Sequence, residues 1–191
     1  MISTAEVFAG LRAHLDAFWP DRSHEEFVWS RGPIGTSLPR FRVRRIAPAI
    51  PSEPWVYVTV GAWEATGSDA HGTEFLLLSP VEEPLHVELL AMVANLHADA
   101  RYRLHVGSTI TIGRPWIDSS LADHLLVSLP YPYGPALEHC RLAERHLQLL
   151  WLVPITPAEA GIVEKQGLGA LEPLLDQPGV DVLAPTRRSV G

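Results

Sequence analysis

The stretch GRPWIDSSLADHLLVSLPYPYG, Gly113 to Gly134, gathers many of the side chains in this sequence that could do chemistry. Asp118 and Asp123 could act as an acid and base pair, Ser119 or Ser120 as a nucleophile, and His124 as a proton carrier. Spacing argues against each use. The two carboxylates stand in a loop entering a strand and need not meet. Asp118 and Ser119 are ordinary turn formers whose side chains bond back to nearby backbone. Neither serine sits in a G-x-S-x-G elbow. His124 begins a strand and reads as a hydrogen-bonded edge residue. The expectation is a turn at 118–120 between two strands, with Leu125 to Leu129 in the core.

Cys140 is the single cysteine, so no internal disulfide is available. A nucleophilic thiol needs a base and a lowered pKa, and the neighbouring sequence supplies neither. Burial as a small apolar side chain is the plainer expectation. Nine histidines invite a metal, but there is no H-E-x-x-H and no second cysteine for a CxxC pair. His139, Cys140 and His146 would meet only if the intervening strand brought them together. SRGPIG and HVGSTITIG lack the pattern of a phosphate-binding loop. No catalytic, metal or cofactor residue is therefore assigned. The alternative kept open is a small cytoplasmic hydrolase working through Asp123 and His124, or through Cys140.

The elements that position these residues read as follows. Ser3 and Glu6 form a capping box, and Val7, Leu11, Leu15 and Phe18 recur at helical spacing, predicting a helix over about 3–19 that Pro20 ends. Strands are predicted at EEFVWS (25–30), RFRVRRI (40–46) and WVYVTVG (55–61). After the loop AWEATGSDAHG, TEFLLLSP makes an antiparallel partner for the last of these. Pro84 opens a second helix running to about Ala100, with Leu85, Leu89, Met92, Val93 and Leu96 as its apolar set. STITIG, DHLLVSLP and HLQLLWLVPI are further strands, the last apolar enough to be buried on both faces. Thr156, Pro157 and Glu159 start a helix that Gly167 stops, and ALEPLLDQPG is a short final helix. Strands in runs without regular βαβ alternation indicate an α+β fold: a central, mostly antiparallel or mixed sheet flanked by helices. The 191 residues suit one domain spanning 1–191.

A formal net charge of −7 argues against non-specific nucleic-acid binding, which depends on Lys and Arg against phosphates. No segment approaches the ~20 apolar residues of a membrane span, and the N-terminal stretch lacks a secretory pattern. A soluble, cytoplasmic protein is expected. Arg40, Arg42 and Arg44 alternate with Phe41 and Val43. They read either as charges that blunt a sheet edge or as a docking face for an acidic partner. Trp63, Trp116, Tyr131 and Tyr133 are the aromatic candidates for a protein interface.

Three motifs in order carry a resemblance: WVYVTVGA with GTEFLLLSP, then HVGSTITIGRPWIDSSLADHLLVSLPY, then LLWLVPITPAEAGIVEKQGLGALEPLLDQPGVDVLAPTRRSV. Over about residues 25–190 the chain resembles the suppressor of fused (SUFU) family in its compact bacterial, single-domain form. The resemblance implies an α+β domain without catalytic activity or cofactor that works by binding another protein. The animal member sequesters zinc-finger transcription factors by clasping a short peptide as an added strand. Bacterial members are thought to be immunity proteins that neutralise a toxin domain. The animal protein's aromatic and acidic peptide contacts fall near Leu96 and Ser108, where this sequence keeps neither chemistry. The expected partner is a protein, such as a toxin domain, bound through Arg40, Arg42, Arg44, Trp63, Trp116, Tyr131 and Tyr133, and a transcription-related adaptor is a further alternative.

Overall fold

A computed structural model describes residues 2–29, 32–66 and 70–191. Ser30, the last residue of the strand predicted over 25–30, and residues 67–69 of the predicted loop lie outside the described residues. In chain order the elements are α1 (Thr4–Phe18), β1 (His24–Val28), α2 (Ile34–Ser37), β2 (Arg42–Ile46), β3 (Trp55–Val60), β4 (His71–Ser79) and α3 (Leu85–Ala98). There follow β5 (Thr109–Thr111), β6 (His124–Ser128), α4 (Pro135–Glu138), β7 (His139–Arg141), β8 (His146–Ile155), α5 (Pro157–Gln166) and α6 (Leu168–Leu175). Strands pair in the order β1-β2-β3-β4-β8-β6-β5, with β7 also on β8. β1 to β4 are antiparallel neighbours, whereas β4 and β8 run parallel, so the sheet is mixed and the fold is α+β.

The chain divides into two compact units. The first holds residues 1–104 and 129–151, and the second holds 105–128 and 152–191. β8 supplies its first six residues to the first unit and its last four to the second.

In the first unit α1 forms as its sequence requires. The Glu6 N–H donates to Ser3 Oγ at 3.2 Å and the Ser3 N–H to Glu6 Oε2 at 2.7 Å, closing the capping box. Val7, Leu11 and Leu15 are buried. β3 is buried from Val56 to Val60, as the β-branched run predicts for a strand covered on both faces. α3 departs from expectation. Leu85 and Met92, placed on its apolar stripe by spacing, are 47% and 48% exposed. Leu89 and Val93 are buried as expected, together with His86, Val87, Leu90, Ala94 and His97. The helix is apolar around most of its circumference, so periodicity alone does not fix the inward face. Contacts with β3, β4 and α2 decide it. The short elements α2, α4 and β7 carry too few residues to show a period and escaped the sequence reading.

In the second unit β5 and β6 pair antiparallel, with Ile110 opposite Leu125. The predicted turn is present. The Trp116 N–H reaches Ala122 O at 3.0 Å, the Ser120 N–H reaches Ile117 O at 3.2 Å, and Ser119 takes a positive φ of 66°. α5 carries its capping box, with the Thr156 N–H on Glu159 Oε2 at 2.9 Å. The tail beyond α6 has no helix or strand, yet it is anchored. The Arg187 guanidinium donates to both Glu159 oxygens, at 2.5 and 2.9 Å, and to Pro154 O at 3.1 Å. The Val190 N–H closes on Glu159 Oε1 at 2.9 Å.

Candidate functional site

The sequence-derived candidates separate cleanly by burial. Arg44 is 3% exposed and serves the interior of the first unit. Its guanidinium donates to Glu26 Oε1 at 2.8 and 3.1 Å and to Asp16 Oδ1 at 2.5 Å. Arg12 completes the network with two 2.8 Å bonds to Glu26. Burial would raise the Glu26 carboxyl, but the two guanidinium groups hold it below its usual value. Arg42 is half-buried and donates to Phe41 O at 2.8 Å. Arg40 precedes β2, is exposed and pairs with Glu64. Carboxylates from α1, β1 and the 62–66 turn thus take up two of the three arginines of the predicted row. The edge-protection reading fails, because β2 lies between β1 and β3.

Trp63 and Trp116 are buried, at 3% and 4% exposed. Trp63 packs edge-on to Phe8 at 5.5 Å between centroids, with the Arg145 guanidinium over its ring at 4.9 Å. Gly72 makes room for it: a Cβ there would lie 2.7 Å from Trp63 Cβ and 2.9 Å from Leu147 Cδ2. Trp116 donates from Nε1 to Ser120 Oγ at 3.0 Å. That oxygen also accepts the Ala122 N–H at 3.1 Å, so Ser120 is committed to the turn.

Tyr131 and Tyr133 lie together in the first unit on a proline-rich turn. The Tyr133 and Gly134 N–H groups both donate to Pro130 O at 2.9 Å, and the Tyr131 N–H donates to Leu129 O at 2.8 Å. Gly134 takes a φ of 66°, which favours glycine there. Tyr133 points inward, edge-on to Phe18 at 5.7 Å and to Trp19 at 5.3 Å. Burial pushes its phenol up to about 12. Tyr131 points outward, 59% exposed. One tyrosine thus anchors the turn on α1 and the other presents a large aromatic face.

The chemical candidates divide too. Asp123 and His124 do meet, with Oδ1 and Nδ1 2.6 Å apart. His124 lies on β6, which has β5 on one side and β8 on the other, so it is hydrogen-bonded as expected but not on an edge strand. Cys140 is buried, and burial, aided by the Glu74 charge, pushes its thiol up to about 11. A thiol held protonated is a poor nucleophile. Among the described residues no three His, Cys, Asp or Glu side chains converge on a metal position. β7 and β8 do bring His139 and His146 together, Nδ1 to Nε2 at 3.1 Å, while Cys140 takes the buried position between.

Two buried acids do structural work, Glu74 without any sequence signal beyond its type and Glu159 as part of the predicted capping box. Glu74, wholly buried, accepts the N–H groups of Gly61, Ala62 and Trp63 at 2.9, 3.3 and 3.2 Å and the Thr59 hydroxyl. It thereby caps the 3₁₀ turn Ala62–Thr66. Burial pushes it up to about 7 against the pull of those donors. Glu159 does the corresponding work for α5 and the tail.

Comparison with known proteins follows the same lines. The model of the family described as suppressor of fused protein (SUFU) matches residues 38–188. No curated protein matches the chain. Among solved structures, a SUFU homolog from Neisseria gonorrhoeae FA 1090 is 36% identical with a TM-score of 0.85, covering 97% of each chain. Drosophila Suppressor of Fused is similar in fold at 15% identity and a TM-score of 0.71, over 95% of this chain and 51% of that one. A Sufu–Fu complex is similar in fold at 15% identity and a TM-score of 0.64, over 88% and 84% of the two chains. The motifs, the mixed sheet and a family match over more than half of the residues agree: the chain belongs to the suppressor of fused family.

Proposed function

We propose that this chain is a protein-binding domain that acts without catalysis, as an immunity protein that neutralises a cognate toxin by covering its working surface. The observation that carries the reading is the 129–135 turn. It holds Tyr131 outward at 59% exposure while Tyr133 and the prolines fix its base. A rigid, exposed aromatic costs little entropy to immobilise and offers a large contact area. The similar fold seen in a Sufu–Fu complex supports a binding role. Arg40 is the second exposed candidate. Co-expression with toxin domains encoded in the same genome tests this. The protein should restore growth against one of them, and Tyr131→Ala should weaken the complex by about tenfold or more, as expected of an interface hot spot. Protection that survives Tyr131→Ala undiminished would remove the turn from the interface.

The Asp123–His124 contact supports one other reading, a hydrolase with His124 as base oriented by Asp123. Turnover of ester or amide substrates, lost in Asp123→Ala and His124→Ala, would favour that reading.

A further inference from the structure

His139 and His146 meet diagonally across the β7·β8 ladder, where His139 is opposite Gln148 and His146 opposite Arg141, with Nδ1 and Nε2 3.1 Å apart. The Glu138 carboxylate lies 3.7 Å from the other ring nitrogen of His139, and accepts from Gln148 Nε2 at 2.8 Å. One neutral arrangement fits these distances. The His139 Nε2–H faces Glu138, and the His146 Nε2–H donates to His139 Nδ1. One added proton can be accommodated, since His139 then donates from Nδ1 to a neutral His146. A second cannot, because both facing nitrogens would carry hydrogen. The surroundings oppose that second charge. His71, opposite His146 on β4, stands with its ring centroid 5.7 Å away, and Arg141 is the cross-strand partner of His146 on β7. Glu138 is the counter-charge among the groups acting on His146.

We propose that the His139–His146 pair is an acid-sensitive latch that holds the α4–β7 segment on β8 and releases it when both rings are protonated. The latch is placed where release has consequences. β7 is three residues long, and the histidine bond adds a side-chain tie to its backbone ladder with β8. α4 in turn carries α1 through His14 Nε2 on Leu137 O at 2.9 Å, and α4 directly follows the Tyr131 turn. Burial, His139, Arg141 and His71 lower the His146 pKa from 6.5, with Glu138 alone opposing. Because the folded value lies below the unfolded one, the stabilisation is complete above 6.5 and is lost as pH falls through the folded value. The latch is a property of this chain by itself and holds whether or not a toxin is its partner.

The test is hydrogen exchange on the full chain, with rates corrected for intrinsic pH dependence, at about pH 7.5 and about pH 5. Protection of residues 136–142 should fall by about tenfold at the lower pH while Val56–Val58 in β3 keep theirs. In His146→Gln, which cannot take the second proton, protection should be equal at the two pH values. Histidine ring NMR on the unmodified chain gives an independent reading, with His146 titrating below 6.5 as the 136–142 amides lose protection. Protection in the segment that is equal at both pH values, or a loss that persists in His146→Gln, would overturn the latch. Ring titration of both histidines to the doubly charged state with no change in those amides would overturn it as well.

Discussion

Arg44 and Arg40 are four residues apart and chemically identical, yet their surroundings assign them opposite work. Arg44→Ala removes a buried cation from the mostly buried Glu26, while the exposed Asp16 keeps its solvent, and should cost about 3 kcal/mol, moderated by Arg12. Arg40→Ala should cost less, about 1 kcal/mol, because Arg40 itself is exposed although its partner Glu64 is mostly buried. Denaturant unfolding of the two variants checks both values, and equal losses would contradict the assignment. Glu74 gives a second residue-scale expectation. Its folded pKa of about 7 stands above the 4.5 of an unfolded glutamate. Its contribution is complete below about 4.5 and is lost as pH rises through about 7. The unfolding midpoint should therefore fall between about pH 5 and about pH 8 by an amount that Glu74→Gln abolishes. His97 has the opposite sign. Burial lowers it from 6.5 to about 4, so its contribution is complete above 6.5 and is lost as pH falls through about 4. At this scale the sequence was legible where a residue's use is local. The turn at Asp118 to Ser120 is present, with Ser120 as the side chain that bonds its backbone, and the capping boxes at Ser3 and Thr156 appear as read. The arginine row was misread because its carboxylates come from α1, β1 and the 62–66 turn, which spacing within one strand does not reveal.

Elements with a strong period or clear caps were legible, and three of the shortest were not. α1, β3 and β8 follow their apolar patterns and α5 its caps, whereas α2, α4 and β7 owe their form to neighbours. The histidine pair illustrates the consequence: without β7, nothing placed His139 opposite Gln148 and within reach of His146. The tail is held by one buried fork, Arg187 on Glu159, with side chains 8% and 0% exposed. Burial would raise Glu159, but Arg187 and the Thr156 and Val190 N–H groups hold it below its usual value. Arg187→Ala should cost about 3 kcal/mol by leaving that carboxylate buried without its cation. The loss should appear in a denaturant melt, together with rapid proteolysis after Gly179. An intact tail in Arg187→Ala would show that other contacts hold it. Gly72→Ala drives a methyl group into Trp63 and Leu147 and should cost about 2 kcal/mol through overpacking, read as a lowered melting temperature.

For the molecule as a whole, the family match and the mixed sheet agree with the motif-based expectation of an α+β suppressor of fused domain. The aromatic and cationic candidates were only partly legible, because the sequence gives residue type and the fold decides exposure. Of the seven, Arg44, Trp63 and Trp116 are buried, while Tyr131 and Arg40 face solvent. Among the described residues no helix is long and apolar enough to cross a membrane. The central claim is that this chain works by holding another protein against its Tyr131 face. The direct measurement is affinity recovery of the tagged chain from its native host, followed by the mass and stoichiometry of what remains bound. The account predicts a one-to-one complex with a toxin domain, lost in Tyr131→Ala and retained in Asp123→Ala. Recovery of the chain alone, together with a hydrolytic turnover that Asp123→Ala or His124→Ala abolishes, would contradict it.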